Sequence, residues 1–341
     1  MLTLKENQLD AFFALIEKKR ELYLPVEQNT GKSEFKRWVE GDKYSTALRT
    51  TRSAKNFFFA KSENLYDIEM NDKKVEVIDT RKDCNDFVIF GVRACDVRSF
   101  DVLDNVFLAD PVDSYYKNRR DHGLVISMAC SKPAATCFCA LFDIDATSPN
   151  GDIQAWHVDD TYYFDPITEK GDAFVEEFKE CFTEADDAPV RKQKEETLNK
   201  IEKLPFVKLN LDGFATEEKL TELFDRPEWK DLSEACLGCG TCTYVCPTCQ
   251  CFDVKDYKVS EGKTKRYRVW DSCMYSNFTK MAAANPRLTQ TERFRQRFMH
   301  KLVYYPIKNE GMYGCVGCGR CLVSCPVSMN IVKVIKTMGD N

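Results

Sequence analysis

The sequence predicts an α+β fold in two parts, and three observations support this prediction. In the first part, two continuous apolar runs flank a segment with the apolar spacing of a helix, a pattern typical of parallel strands joined by a crossover. In the last third, one spacing of cysteines occurs twice, and residues 247–314 between the copies offer room for several helices. A helical connection at residues 212–229 lies between the two parts. We therefore predict an N-terminal α/β domain with a partly parallel sheet over residues 1–212 and a mainly helical domain over residues 213–341.

Composition is that of an ordinary globular protein. The 341 residues are enough for two or three domains, and 43% of them are hydrophobic and 30% charged. No apolar run approaches the about 20 residues that span a bilayer, and the start from Met1 to Gln8 is polar, so we expect a cytoplasmic protein without membrane insertion. Its thiols would then stay reduced. A net charge of −5 gives no general attraction for nucleic acid, so the expected partners are proteins.

The first predicted elements are a helix and two short strands. Apolar residues recur at helical spacing from Leu4 through Tyr23, which predicts a helix with one buried face. They are Leu9, Phe12, Phe13, Leu15 and Ile16. The apolar runs Phe57–Phe59 and Val75–Ile78 predict strands. We assign only a packing role to the helix.

The next segment predicts a strand, a helix and a second, parallel strand. Asp86–Gly91 and Gly123–Ala129 have the pattern of buried strands, and Val97–Phe107 between them has that of a helix. In such a sheet, ligands bind beyond the carboxyl ends of the strands. Cys95 and Cys130 both lie at those ends.

The rest of the chain predicts a loop and an antiparallel strand, followed by charged helices. The strand lies within Asp145–Tyr163, and surface helices are expected at Asp172–Phe182 and Val190–Leu204. Between the cysteine motifs, Asn277–Ala284 and Thr289–Tyr305 are the expected helices. A basic series near the second of these predicts either a solvated face or a docking surface for an acidic partner. The series is Arg287, Arg293, Arg295, Arg297 and Lys301.

The repeated cysteine pattern predicts two [4Fe-4S] clusters. Each copy has three cysteines spaced three positions apart and a fourth cysteine that precedes proline, the spacing of two-cluster ferredoxins. In those proteins the fourth cysteine of each motif ligates the other cluster. The first predicted ligand set is therefore Cys236, Cys239, Cys242 and Cys325, and the second is Cys315, Cys318, Cys321 and Cys246.

A third cluster is predicted at the rim of the sheet. Cys137 and Cys139 follow Cys130 in the loop after the second strand, so that with Cys95 four thiols gather where a cluster needs four. The alternative is that some of these cysteines are buried structural thiols. Arg93 and Asp96 flank Cys95 and are candidate residues around the cofactor.

Other fates remain open for some cysteines. Paired C-x-x-C elements also bind zinc, although the doubled motif with its terminal Cys-Pro favours iron–sulfur clusters. Three further cysteines either complete another metal site with Asp253 or Asp271, or pack around the clusters, and we favour packing. They are Cys249, Cys251 and Cys273. Cys84 and Cys181 are expected to be buried thiols.

Motifs for catalysis are missing. The sequence has no G-x-G-x-x-G after a strand and no P-loop, and it has only three histidines, none with the spacing of a zinc protease or haem site. These absences favour an electron carrier over a catalyst.

Five stretches resemble a family of iron–sulfur subunits. They are Phe90–Asp96, Thr136–Cys139, Cys246–Asp253, Trp270–Cys273 and Cys315–Cys321. The family includes the iron–sulfur subunit of anaerobic sulfite reductase and the beta subunit of sulfhydrogenases. The resemblance covers most of the chain and also supports the third cluster.

The resemblance implies a non-catalytic subunit that passes electrons within a cytoplasmic anaerobic reductase complex. The donor would be a flavoprotein subunit linked to NAD(P)H or ferredoxin, and the acceptor a catalytic subunit with sirohaem, as in sulfite reductase, or with nickel and iron, as in sulfhydrogenase. We favour sulfite reductase over the NiFe sulfhydrogenase alternative. Two rival hypotheses are a free-standing ferredoxin-like carrier and an N-terminal domain that is itself catalytic.

Overall fold

A computed structural model describes residues 1–72, 74–81 and 84–339, and these residues form two sheets and a set of helices. The larger sheet has eight strands: β1 (Leu2–Lys5), β2 (Glu21–Glu27), β3 (Ser33–Arg37), β6 (Phe87–Val92), β7 (Gly123–Met128), β8 (Ile153–Val158), β9 (Thr161–Pro166) and β10 (Thr183–Glu184). The smaller sheet has four: β4 (Ser62–Asn71), β5 (Lys74–Asp79), β11 (Phe252–Ser260) and β12 (Lys263–Trp270).

Helices cover the larger sheet and make up much of the C-terminal part. They are α1 (Leu9–Glu17), α2 (Lys55–Phe58), α3 (Ala94–Phe107), α4 (Ser114–His122), α5 (Glu169–Glu177), α6 (Ala188–Ile201), α7 (Leu220–Asp225), α8 (Glu228–Glu234), α9 (Thr241–Tyr244), α10 (Gln290–Met299), α11 (Tyr305–Lys308), α12 (Arg320–Ser324) and α13 (Ile331–Met338). A π-helical turn at His300–Tyr304 joins α10 to α11. None of the helices in the described part of the chain has the length and apolar character that a membrane span requires.

The centre of the larger sheet is parallel, which confirms the predicted α+β class. The strand order is β10-β1-β9-β8-β7-β6-β2-β3, and β2, β6, β7 and β8 run parallel to one another. Every residue of β6 and β7 is buried, as expected for parallel strands with both faces covered. Helix α3 follows β6 directly, so the carboxyl ends of β6 and β7 bring Cys95 and Cys130 to the same edge of the sheet.

Three sequence predictions about local structure were wrong. The first α-helix begins only at Leu9, because Leu2–Lys5 form β1, whose backbone pairs with β9, and Glu6–Gln8 form a 3-10 turn between the strand and the helix. Phe57–Phe59 is not a strand: Phe58 closes the helical turn α2, and Phe58 and Phe59 are fully buried. Asn277–Ala284 forms turns instead of a helix, because Asn285 hydrogen-bonds to Thr279 and to the Ser276 carbonyl, and such side-chain bonds compete with helix formation.

The hairpin β11–β12 links the two predicted domains. Strand β12 pairs antiparallel with β4, which precedes residue 212, so residues from both parts share the smaller sheet. They also share a core, in which Phe138 and Phe142 belong to the same buried cluster as Phe294 and Val316. The sequence predictions for this region included no hairpin. Apolar residues do alternate along β11, at Phe252 and Val254 and again at Tyr257 and Val259, but they are exposed, so no buried face marks the hairpin.

Candidate metal centre

The two cysteine motifs fold in the same way. In each, glycines with positive φ alternate with the cysteines, and the second glycine starts a short helix. Gly317 has a φ of +59°, and a Cβ there would lie 2.4 Å from the backbone of Phe138. Gly319 is equally confined, by the Thr136 carbonyl. Only glycine permits this close approach of the motif to the Cys137–Cys139 loop.

Site 1 consists of the first predicted ligand set, whose four thiols line one cavity of about 410 Å³. They are Cys236, Cys239, Cys242 and Cys325. The last comes from the second motif, as the crossed pattern predicts. Gln290 donates to Cys236 Sγ at 3.3 Å, and the Met329 backbone N–H donates to Cys325 Sγ at 3.2 Å.

Site 1 reaches the surface through Cys239, which is exposed. Its Sγ lies 3.4 Å from the Thr241 hydroxyl, and this contact lowers the pKa of the Cys239 thiol. Such hydrogen bonds to sulfur, together with solvent exposure, tune the potential of an iron–sulfur cluster.

Site 2 is the second predicted set: Cys315, Cys318, Cys321 and Cys246. Its thiols are electrostatic neighbours, since Cys246 acts on each of the other three. Burial raises the pKa of the Cys321 thiol to about 12 and that of Cys318 in the same direction. Cys246 Sγ lies 3.2 Å from the Thr248 hydroxyl. The structure thus brings together both crossed sets.

Site 3 lies at the carboxyl ends of β6 and β7. Its four thiols line a cavity of about 490 Å³, where the sequence predicts a third cluster. They are Cys95, Cys130, Cys137 and Cys139. Arg93 also lines this cavity and donates to the Ala129 carbonyl at 2.8 Å, fixing the end of β7.

A buried ion pair joins sites 2 and 3. Asp96, next to Cys95, accepts hydrogen bonds from both terminal nitrogens of Arg320, which lies between Cys318 and Cys321. Both side chains are only 2% exposed, and Arg320 also donates to the Thr50 carbonyl at 3.0 Å. Asp96 does not line the site 3 cavity, so its role is to fix two ligand-bearing segments relative to each other.

Arg49 makes a second link between sites 2 and 3. It donates to the Cys318 carbonyl at 2.8 Å and to Thr136 at 2.8 Å, and its guanidinium lies 3.7 Å from Cys137 Sγ. Cys318 itself lines the site 3 cavity. Arg49 and Arg320 were missed in the sequence: Arg49 is distant from every motif, and Arg320 lies inside the second cysteine motif, whose spacing does not indicate its partner Asp96.

The thiols Cys249, Cys251 and Cys273 line a further cavity of about 350 Å³, called site 4 here. The proposed oxygen ligands are elsewhere: Asp253 pairs with Lys255 on the surface, and Asp271 accepts from the Ser272 N–H. Neither aspartate lines the cavity, whereas Arg297, His300 and Lys301 do.

The basic series near α10 is not one exposed face. Arg297 and Lys301 are buried at 3% and 5% exposure and point toward the thiols. Arg295 stacks on Phe224, and Arg293 donates to the Met274 carbonyl. The alternative prediction, a docking surface formed by all five basic residues, is therefore wrong.

Cys84 and Cys181 are half-buried and pack against separate apolar clusters. Within the described residues, no group of three or more Cys, His, Asp or Glu side chains is placed to share a single metal ion. The thiolates of a four-iron cluster bind different irons and do not need that close arrangement.

Comparison with known proteins gives two matches. A family described as 4Fe-4S dicluster domain matches residues 235–329, which contain both cysteine motifs. Sulfhydrogenase 2 subunit beta of Pyrococcus furiosus is 33% identical over 326 residues, covering 95% of this chain and 94% of the relative. No solved structure matches the chain.

Proposed function

Because the chain belongs to the family of iron–sulfur subunits that includes sulfhydrogenase beta subunits and their counterpart in anaerobic sulfite reductase, we propose that it relays electrons inside a sulfhydrogenase-type complex. It is an iron–sulfur electron-transfer protein that carries [4Fe-4S] clusters. The sequence favoured sulfite reductase, whereas the relative over nearly the full length of the chain favours the sulfhydrogenase alternative.

The proposal assigns one [4Fe-4S] cluster each to sites 1, 2 and 3. The donor sets fit, because each site has four cysteines, and four thiolates are the usual ligands of such a cluster. When bound, a cluster supplies one-electron transfer. The protein holds the sites in fixed positions, and the thiols of sites 2 and 3 are buried or half-buried, whereas Cys239 of site 1 is exposed.

The contiguity of the sites is the observation that carries the proposal. Cys242 of site 1 is an electrostatic neighbour of Cys321 of site 2, and Cys318 of site 2 lines the cavity of site 3. The three sites therefore form a row that begins at exposed Cys239. A row of sites that reaches the surface suits a relay between two partners better than it suits a self-contained catalyst.

The partners in the proposal are a flavoprotein subunit linked to NAD(P)H or ferredoxin and a catalytic subunit with nickel and iron. The test is an anoxic pull-down of the tagged chain from its host, followed by metal analysis and an absorption spectrum of what accompanies it. Nickel together with flavin is the expected result. Sirohaem would instead establish the sulfite reductase hypothesis, and a chain that comes down alone would refute membership in a complex and favour a free carrier.

A further inference from the structure

Site 4 has the architecture of a cofactor site that none of the assigned clusters uses. Cys249 and Cys251 lie between α9 and β11, and Cys273 follows β12, so the hairpin returns the third thiol to the first two. The side chains of Cys251 and Cys273 are hydrogen-bonded to each other. Its cavity of about 350 Å³ compares with 410 and 490 Å³ at sites 1 and 3.

Three buried cations surround these thiols without carboxylate partners. Lys55, Arg297 and Lys301 are 2%, 3% and 5% exposed. In the part of the chain that the structure describes, none of them forms an ion pair with Asp or Glu. Burying a cation is costly in free energy unless an anion or hydrogen bonds compensate its charge.

The hydrogen bonds of these cations are incomplete. Lys301 Nζ donates to Thr248 Oγ1 at 2.7 Å and to the Gly314 carbonyl at 2.9 Å, and Lys55 Nζ donates to the Cys249 carbonyl at 2.8 Å. Arg297 lines both site 4 and site 1, and its buried Nε has no hydrogen-bond partner in the described residues. Compensation of these buried positive charges requires negative charge within site 4 as well as at the neighbouring sites.

One further ligand type is on the cavity wall. His300 lines site 4 and opens the π-helical turn, an irregularity that is frequent at functional sites. Imidazole can replace cysteine as a ligand of iron in a cluster, as in Rieske centres. Three thiols and one imidazole make four ligands.

We propose that Cys249, Cys251 and Cys273 ligate a fourth iron–sulfur cluster, with His300 completing its ligand set. A cluster suits the site better than a zinc ion, because the side chains are not placed to share one ion. It would carry net negative charge and so compensate the buried cations. Cys249 is hydrogen-bonded to Cys246, so site 4 adjoins site 2 and would form a branch of the row.

The experiment is an iron and acid-labile sulfide count on the full chain, purified and reconstituted without oxygen. Four clusters give about 16 iron atoms per chain and three give about 12, at about four per cluster. Replacing Cys251 and Cys273 together by Ser should remove about four iron atoms and leave the EPR signals of the other clusters. The matched control is Cys181→Ser, which removes a half-buried thiol outside all four sites and should leave the count unchanged.

A wild-type count of about 12 would overturn the proposal, as would zinc instead of iron lost from the double variant. The wild-type count does not depend on whether the variant folds. His300→Ala tests the fourth ligand: about one iron should be lost and the EPR signal of an oxidised three-iron cluster should appear. An unchanged count and spectrum would remove His300 from the ligand set. Cys137→Ala removes a ligand of site 3 alone, so its effect on the iron count tests the proposed three-cluster relay. The iron count therefore distinguishes a missing cluster at site 4 from a failure of that relay.

Discussion

The ion pair between Asp96 and Arg320 gives the sharpest test of how the site is held together. Asp96→Ala leaves the Arg320 guanidinium at 2% exposure with only Thr50 as a hydrogen-bond partner outside the thiols. Breaking a buried pair by removing one partner costs about 3–5 kcal/mol. With an unfolding slope of about 3 kcal/mol per molar urea, a loss of about 4 kcal/mol lowers the urea midpoint by about 1.3 M.

The assay is urea unfolding under anoxic conditions, followed by circular dichroism. The control is Asp121→Ala, which removes the carboxylate of an exposed pair with Lys117, whose side chains are 54% and 53% accessible. Exposed pairs contribute roughly 0–1 kcal/mol, so this variant should unfold near the wild-type midpoint. A midpoint for Asp96→Ala that coincides with the control would refute the argument that this pair is buried and structural.

The state of the thiols should change the size of this effect. Cys95 and Cys318 are neighbours of Arg320, and burial raises the pKa of both thiols, so they are neutral in the metal-free chain at pH 7. Iron ligation deprotonates them and supplies negative charge beside the guanidinium. We therefore expect Asp96→Ala to cost more in the metal-free chain than in the loaded one. An equal loss in both forms would contradict the electrostatic explanation.

Three more predictions follow from the same geometry. Cys246→Ser should perturb the cluster at site 2 and leave site 1 intact, which cluster-resolved EPR can decide; loss at site 1 would disprove the crossed assignment. Gly317→Ala should destabilise the chain by about 1–3 kcal/mol, because the added Cβ meets the Phe138 backbone and φ is positive. The control is Gly311→Ala, where φ is also positive but the added Cβ lies in open space. Equal urea midpoints for the two variants would refute the contact with Phe138. Burial raises the pKa of Cys139 from 9.0 to about 12, so between these pH values the folded metal-free chain binds more protons than the unfolded chain. The stability of the metal-free chain should therefore fall as pH rises through this range, whereas the loaded chain should show no such loss. Unfolding measured as a function of pH tests this.

The sequence predicted those parts of the fold whose signal is local. The apolar runs of β6 and β7 gave the parallel centre of the sheet, and their ends placed Cys95 and Cys130 at one edge. The repeated motif predicted which thiols meet across the chain, because its spacing is itself the geometry of ligation. The strand predicted at Phe57–Phe59 was wrong, because three adjacent apolar residues fit a buried helical turn as well as a strand.

Long-range contacts escaped prediction for a physical reason. The hairpin β11–β12 is held by backbone pairing with β4, and the apolar side chains that alternate along β11 lie in solvent, so no buried face supports a strand prediction there. Arg49 and Arg320 act through contacts to residues far along the chain. No spacing rule connects Arg49 to Cys318, and none connects Arg320, although it lies inside the second motif, to Asp96. Their role becomes visible only when sites 2 and 3 are side by side.

The cations of α10 and the turn after it show why helical periodicity alone can mislead in a chain rich in cysteine. A helix face with basic residues is usually solvated, because burying charge is costly. Arg297 and Lys301 are buried nevertheless, and the groups that act on their charge are the thiols of sites 1, 2 and 4. An anionic cofactor can take the place of water for such residues. The polar face of α10 is therefore a second indication of the metal centres, independent of the cysteine spacing, and it extends to site 4 where that spacing gives no prediction.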